Sequence, residues 1–515
     1  MNRSVLSRIG TLTAAAATLA VLVPATASAA ASSVQWGPCP EDVAAPGLTC
    51  TTLKVPLDYR NPGGKTIDVA VSKLASTKPA KRRGIMLTNP GGPGGPGLSM
   101  PAELRAAGMP SSVLDAYDII GFDPRGIGRS TPVTCDLKPE QAVNNVPPYA
   151  RDAAAVAERA KTVAVVAKQC GESKTAAILP YITSANTARD MDRIREALGE
   201  KKLSYYGVSY GSYLGAVYST LFPQNTDRVV LDSVTGPGGL DPAGSRRLAE
   251  GFQDRFPDFA KWAAERHASY GLGRTPRQVT AKFYELAAKL DTGVVPGVDG
   301  AAFRVGTFGS LYSTRSFPVL AQQWQALDGE GVMKQTAQAQ QVDVAQILAA
   351  QLHVVCNDVN WPEKVETYQR SVEKDRVKYP MFGAAAANIW TCAYWPSEPI
   401  EPQVRIGDRG PSNILMVQNL RDPATPLGGA KEMRRALGDR TRMVSVDDGG
   451  HGVWLGSENA CGNNAVNRFL VEGKRPAHDT ACAADRGGLF ASMTPEQRQE
   501  REKALDEVRS KQRMF

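Results

Sequence analysis

The sequence predicts an α/β protein built on one mostly parallel sheet and interrupted by a long helical insertion. Three observations carry this reading. Short apolar runs at 84–88, 117–123, 203–206, 228–232, 414–417 and 442–446 have the length and β-branched content of strands buried on both faces. Several are followed by glycine turns or helical patterns, the alternation of a parallel sheet with its crossover helices. Between about 237 and 405 the strand signal stops and helical periodicity takes over. The 515 residues are enough for a large core with an insertion.

The N-terminus comes first. Residues 1–8 carry Arg3 and Arg8 and no acid, and 9–23 is an apolar stretch of Ala, Leu and Val ended by Pro24. Ala27-Ser28-Ala29 supplies small residues, so 1–29 has the order of a secretory signal cleaved near Ala29. The run is shorter than the roughly 20 apolar residues of a membrane span, and an exported protein without a membrane anchor is expected. Composition agrees: 22% charged and 42% hydrophobic residues exclude global disorder. Removing Arg3 and Arg8 leaves 58 basic against 52 acidic residues, too dilute an excess to imply a nucleic-acid partner.

The first core part, 30–236, opens with TTLKVPLDY, an Asn61-Pro62-Gly63-Gly64 turn and the alternating TIDVAVSKL, read as two strands. The run at 84–88 ends in the glycine-rich NPGGPGGPG of 89–97, and the run at 117–123 ends in Pro124-Arg125-Gly126. Residues 185–198 are helical and lead into the strand 203–206. In the insertion, 237–405, Thr275-Pro276 opens a helix as N-cap and first-turn proline, and 316–327 and 336–352 are helical as well. The second core part is 406–492. The tail, 493–515, carries a capped helix over 494–513 whose 6 basic and 5 acidic residues predict a solvated surface helix.

Eight cysteines in an exported chain argue for disulfides. They fall into four near-neighbour pairs along the chain, and local bridges Cys39–Cys50, Cys135–Cys170, Cys356–Cys392 and Cys461–Cys482 are expected. No CxxC occurs, and no metal site is expected.

The strongest chemical motif is Gly207-Val208-Ser209-Tyr210-Gly211, between a short strand and the helical AVYSTLF. Strand–turn–helix context is what a nucleophile elbow requires, and the helix N-terminus places a positive dipole end beside a developing anion. A serine needs a base. Of the four histidines, His267 lies in a charged helical segment, His478 in a polar tail, and His353 in an apolar run that suits a core residue. His451, in Asp447-Asp448-Gly449-Gly450-His451-Gly452 after a strand, is the expected base. Asp422, 29 residues earlier in RDPATP, is the expected orienting acid. Asp447 and Asp448 sit too near His451 on one loop, and Asp232 is a weaker competitor.

An oxyanion hole needs backbone N–H donors. The Tyr210 N–H, after the nucleophile, is one. The second is expected from NPGGPGGPG, where Pro90 and Pro93 have no N–H; Gly91 and Gly92 remain, and Gly92 is preferred. The loop is not a phosphate-binding loop, because no GK[ST] follows it, and Gly64-Lys65-Thr66 has Tyr59 where the first glycine would stand.

Taken in order, VPLDY at 55–59, PGGPGG at 90–95, DPRGIGRS at 123–130, GVSYG, RDPATP and GGHG resemble the secreted tripeptidyl-aminopeptidase branch of the α/β-hydrolase serine peptidases, relatives of the proline iminopeptidases. The motifs span about 55–452 and the last cysteines extend the likeness to 482. The resemblance implies an α/β-hydrolase fold with a helical cap, a Ser-Asp-His triad, near-neighbour disulfides, and cleavage near a free N-terminus of peptide substrates. Triad chemistry needs no cofactor, and a monomer is expected. Pro90 departs from the iminopeptidases, which usually carry His before the two glycines, and the cap has no acidic motif matching theirs. For the substrate ammonium, Asp358 in VCNDVNW is the candidate, beside the expected Cys356–Cys392 bridge. An esterase or lipase would use the same triad, and a binding module on this fold is the other alternative.

Overall fold

A computed structural model describes residues 34–512 apart from 143–144, 296, 330–342, 486–489 and 491–492. The signal segment expected at 1–29 and the 336–342 part of one expected helix lie outside the described residues.

The described strands are β1 (Gly37–Pro38), β2 (Leu48–Pro56), β3 (Thr66–Leu74), β4 (Gly84–Asn89), β5 (Tyr117–Phe122), β6 (Leu203–Val208), β7 (Thr226–Asp232), β8 (Ile414–Arg421), β9 (Thr441–Gly449) and β10 (Thr480–Cys482). They form one sheet in the order β1-β2-β3-β5-β4-β6-β7-β8-β9-β10. Pairing is antiparallel from β1 to β3 and between β3 and β5, and parallel from β5 onward. The central strands read as unbroken apolar runs because both faces are covered. Ile85, Leu87, Tyr205, Val229, Leu231, Ile414 and Met416 join one core, and Met86, Tyr206, Val208, Val230, Leu415 and Val417 join the other. Helices Ser184–Ala197, Tyr210–Leu221 and Leu427–Leu437 cover the first face; Met100–Ala106, Ser111–Ala116 and Ala460–Glu472 cover the second.

Between β7 and β8 the chain is helical. Leu248–Ala264, Pro276–Leu290, Gly300–Ser310 and Phe317–Asp328 enclose a separate aromatic core of Phe252, Phe256, Phe283, Phe308, Trp324 and Phe382. The Thr275 hydroxyl accepts the Gln278 N–H at 3.2 Å and caps the second of these helices. The helix Ala153–Glu172, which precedes β6, packs on this layer: Val156, Ala160 and Val163 share a cluster with Tyr368, Val372 and Ile389.

Four disulfides join Cys39 to Cys50, Cys135 to Cys170, Cys356 to Cys392 and Cys461 to Cys482. The first ties β1 to β2 at one edge of the sheet, and the last ties β10 at the other edge to helix Ala460–Glu472. The C-terminal helix, Pro495–Gln512, is no free surface element. It buries Arg501, Ala504, Leu505, Val508, Arg509 and Gln512, because residues so spaced share one face and that face lies on helix Met100–Ala106 and the loops around it.

Candidate active site

The chemistry-bearing loops all leave the carboxyl ends of parallel strands, the edge where α/β sheets place their sites. Ser209 follows β6 and starts helix Tyr210–Leu221 with φ 62° and ψ −130°. A non-glycine residue held there costs about 1–3 kcal/mol and signals a forced turn. The flanking glycines make the turn possible. A Cβ on Gly207 would stand 2.3 Å from the Gly211 carbonyl oxygen, and one on Gly211 would stand 2.7 Å from the Asn89 carbonyl oxygen. The Ser209 N–H donates to Asp232 O at 3.0 Å, and the Ser212 hydroxyl donates to Ser209 O at 2.6 Å. The elbow is pinned on both sides of the serine.

Asp422 and His451 meet although 29 residues separate them: Nδ1 of His451 lies 3.0 Å from each Asp422 oxygen, and both side chains are fully buried. Asp422 also accepts the Ala424 and Thr425 N–H groups and the Thr425 hydroxyl, each at 2.9 Å. These bonds fix the orientation of the carboxylate. The His451 N–H donates to Tyr312 O at 2.9 Å, and the Tyr312 ring packs edge-on against the imidazole with centroids 5.0 Å apart. The insertion therefore touches the histidine directly. Nε2 of His451 is buried and has no hydrogen-bond partner among the described residues, Ser209 included; such contacts commonly tighten only when substrate binds.

Asp232, which sequence reasoning held as a competing acid, does something else. Its carboxylate accepts the Val453 and Trp454 N–H groups at 2.8 Å each and the Tyr206 hydroxyl at 3.1 Å. Burial pushes this carboxyl up to about 6, opposed by those bonds. The Ser233 hydroxyl accepts the Gly452 N–H at 2.7 Å, and Asn419 donates to Gly450 O at 2.9 Å. Together they clamp the histidine loop. Asp447 pairs with Arg421 and Asp448 accepts the Ser457 hydroxyl, both turned from the imidazole's Nδ1. His267 and His478 lie outside the site, and His353 is a core residue whose Nδ1 meets Ala349 O at 2.7 Å and whose burial holds it down to about 4.

In the glycine-rich loop, the Gly91 N–H is taken by Asn89 Oδ1 at 3.0 Å. Among the described residues the Gly92 and Tyr210 N–H groups donate to no acceptor. The far end of the loop is held by Asp123, whose carboxylate accepts the Gly97, Leu98 and Arg129 N–H groups. The conspicuous motifs at 55–59 and 123–130 are thus scaffolding: Arg125 and the Tyr59 hydroxyl both bond the buried Asp190. A cavity of about 410 Å³ opens beside His451, lined by Tyr312, Arg315, Asp448, Ser457, Glu458 and Arg509 among others.

Asp358 ends helix Val344–Asp358, where it accepts the Ser184 N–H at 2.7 Å and the Ser184 hydroxyl. That hydroxyl also meets the Tyr210 hydroxyl at 2.6 Å. Burial pushes the Asp358 carboxyl up to about 6 against the effect of its Ser184 bonds. Among the described residues it has no cationic partner, and with Tyr213 and Glu401 it lines a cavity of about 10 Å³. Glu401 is itself bound by Arg189 at 2.5 and 2.8 Å. Among the described residues no group of three or more His, Cys, Asp or Glu side chains converges as metal ligands.

Asn89, Ser233, Tyr312, Asn419 and Thr425 were not read from the sequence as site residues, and Asp232 was read only as a competing orienting acid. Asn89 and Thr425 had a local signal, since each adjoins a motif and can reach a neighbouring backbone group. The others act across long sequence separations.

Comparison with known proteins agrees with this architecture. A family model described as TAP-like protein matches residues 379–482. The chain is 35% identical over 479 residues to a tripeptidyl aminopeptidase of Streptomyces lividans, covering 89% of this chain and 88% of that protein. It is 27% identical to the serine protease Hip1 of Mycobacterium tuberculosis, over 87% of this chain and 91% of that one. It is also 28% identical to a protein of the same species named carboxylesterase B, over 87% and 89%. With its mostly parallel sheet and long helical insertion, the chain belongs to the tripeptidyl-aminopeptidase-like family of serine peptidases with the α/β-hydrolase fold.

Proposed function

We propose that this protein is a secreted exopeptidase that releases tripeptides from the free N-termini of peptide substrates. The observation that carries the reading is the buried Asp422–His451 contact at the strand edge that also presents Ser209, beneath a helical insertion that reaches the histidine. Export is supported by the four disulfides, each stabilising chiefly by restricting the unfolded chain.

In this mechanism Ser209 Oγ attacks the scissile carbonyl while His451 Nε2 takes its proton. Asp422 holds the imidazole with Nδ1–H donated to the carboxylate, and stabilises the imidazolium that forms. The Gly92 and Tyr210 N–H groups, both without acceptors among the described residues, bind the oxyanion. His451 then protonates the leaving amine, and water hydrolyses the acyl-enzyme with His451 again as base. The chemistry requires neither metal nor organic cofactor.

Asp358 is the acid for the substrate ammonium. A buried carboxyl with no cationic partner among the described residues gains most from an arriving positive charge. Three extended residues span roughly 10 Å, so the distance from this acid to Ser209 sets the length released.

The test is turnover of peptides of increasing length, free or N-acetylated, with wild type and Ser209→Ala. Release of tripeptides from free peptides only, abolished in Ser209→Ala, is expected. Equal cleavage of acetylated peptides would exclude the aminopeptidase reading, and hydrolysis confined to p-nitrophenyl esters would make the protein an esterase.

A further inference from the structure

We propose that the C-terminal helix Pro495–Gln512 is a positioning element of the active site, with Lys511 and Gln512 fixing the oxyanion loop and Arg501 fixing the loop that carries His451. The inference rests on the reading of Gly92 as oxyanion donor and His451 as base.

The helix carries a face it did not need for adhesion alone. Its apolar contacts are few, Ala504, Leu505 and Val508, and its other buried members are polar. A buried polar group is costly unless bonded, and two of these are bonded to backbone carbonyls of the two loops. Gln512 Nε2 donates to Pro90 O at 3.0 Å. The N–H of the same peptide group, on Gly91, donates to Asn89 Oδ1 at 3.0 Å. The Pro90–Gly91 peptide plane, adjacent to the one that carries the Gly92 N–H, is therefore held at both ends and cannot rotate without breaking a bond. Lys511 adds a buried ion pair with Glu103 and a 2.6 Å bond to Ser99 Oγ. Its own carbonyl lies so close to Gly95 that a Cβ there would stand 2.8 Å away.

At the other end, Arg501 is 1% exposed and Nη2 donates to Leu455 O at 2.5 Å. Leu455 has φ 64°, a left-handed conformation that a branched side chain rarely adopts. It persists because its carbonyl is bound by Arg501 and its N–H by Asn463 Oδ1 at 2.8 Å. Leu455 closes the segment 451–455, whose Val453 and Trp454 N–H groups bind Asp232. One helix thus spans from the oxyanion loop, in the first part of the core, to the histidine loop in the second.

The experiment uses the full chain with Gln512→Ala, Lys511→Met, Lys511→Arg and Arg501→Met, and a tripeptide anilide as substrate. Gln512→Ala and Lys511→Met are expected to lower kcat about 10- to 100-fold with KM unchanged, because misplacing a preorganised donor affects the transition state alone. Affinity for the matching tripeptide aldehyde, which forms a hemiacetal with the serine, falls by the same factor, and Lys511→Arg restores both. Arg501→Met is likewise expected to lower kcat with KM unchanged, and a lower Tm, or loss of the fold, without that kcat effect would strike Arg501 from the proposal while the Gln512 result stands by itself. A lower Tm with unchanged kcat and aldehyde affinity would overturn the proposal and leave the helix merely structural. If wild type binds the aldehyde no better than the corresponding alcohol, the oxyanion reading fails instead, so the two failures are distinguishable.

Discussion

Asp232 and Phe252 are both completely buried, and their surroundings have almost nothing in common. Around Asp232, and around Asp422 nearby, each carboxylate oxygen is matched to a backbone N–H or a hydroxyl at 2.8–3.1 Å. Around Phe252 there are rings: Phe256, Phe283, Phe308 and Phe382 lie with centroids 5.1–6.2 Å away. Directional bonds at the strand edge define where an imidazole or an N–H points. Apolar packing in the insertion defines how firmly a roof is held, while leaving its members able to shift by tenths of an ångström. The strand edge should therefore answer mutation in kcat, and the insertion in stability.

The largest contrast is expected between Asp422→Asn and any change in the insertion. An amide at 422 keeps an acceptor for the Ala424 and Thr425 N–H groups but can present NH₂ to His451 Nδ1, favouring the wrong tautomer. A fall in kcat of about 10⁴-fold with little change in Tm is expected. Steady-state kinetics beside a thermal melt checks it, and a kcat loss below tenfold would remove Asp422 from the mechanism.

The converse is Phe252→Ala. Loss of a buried ring in contact with four others costs about 3–5 kcal/mol, read as a shift in denaturant midpoint. In the folded fraction kcat is expected to stay within about twofold of wild type. If kcat collapses while the fold survives, the insertion does chemistry and the contrast is broken.

The same contrast explains what was legible in the sequence. β4, β6 and β8 were visible as unbroken apolar runs because both faces are buried, and GVSYG was visible because the turn it makes is local. Helix Ala153–Glu172 was not read from the sequence, although a local signal was there: Asp152 as N-cap and Val156, Ala160, Val163 and Ala167 on one face. The roles of Asp232 and Tyr312 had none. Asp232 meets Val453 across 221 residues, and nothing at either position marks the partner. The C-terminal helix misled for a related reason: Arg501 and Gln512 read as solvated, since burial of a polar side chain shows only once its acceptor carbonyl is in place. β10, three residues long, is below the length at which a periodic pattern exists.

Asp358 sits where the two regions meet, between the end of an insertion helix and Ser184 of the core, and offers the smallest but most specific test. Its carboxyl is pushed up to about 6 by burial. An ammonium is attracted by the carboxylate, not by the acid, so with Asp358 as its site binding of free N-termini is expected to be retained above pH 6 and lost as pH falls through it. The ratio of kcat/KM for a free peptide to that for its N-acetylated form cancels any pH dependence the two substrates share. That ratio is expected to fall about tenfold per pH unit below 6 in wild type, and to be low and flat in Asp358→Asn. The linkage sign gives a control. A folded value raised above the ordinary 3.8 means that stability declines as pH rises from about 4 to 6 and stays reduced above. Asp358→Asn removes that penalty and should melt no lower than wild type at pH 8. An unchanged ratio in the variant, with the fold intact, would assign Asp358 to capping Ser184 and steadying Tyr210 and send the search for the ammonium site elsewhere in the insertion.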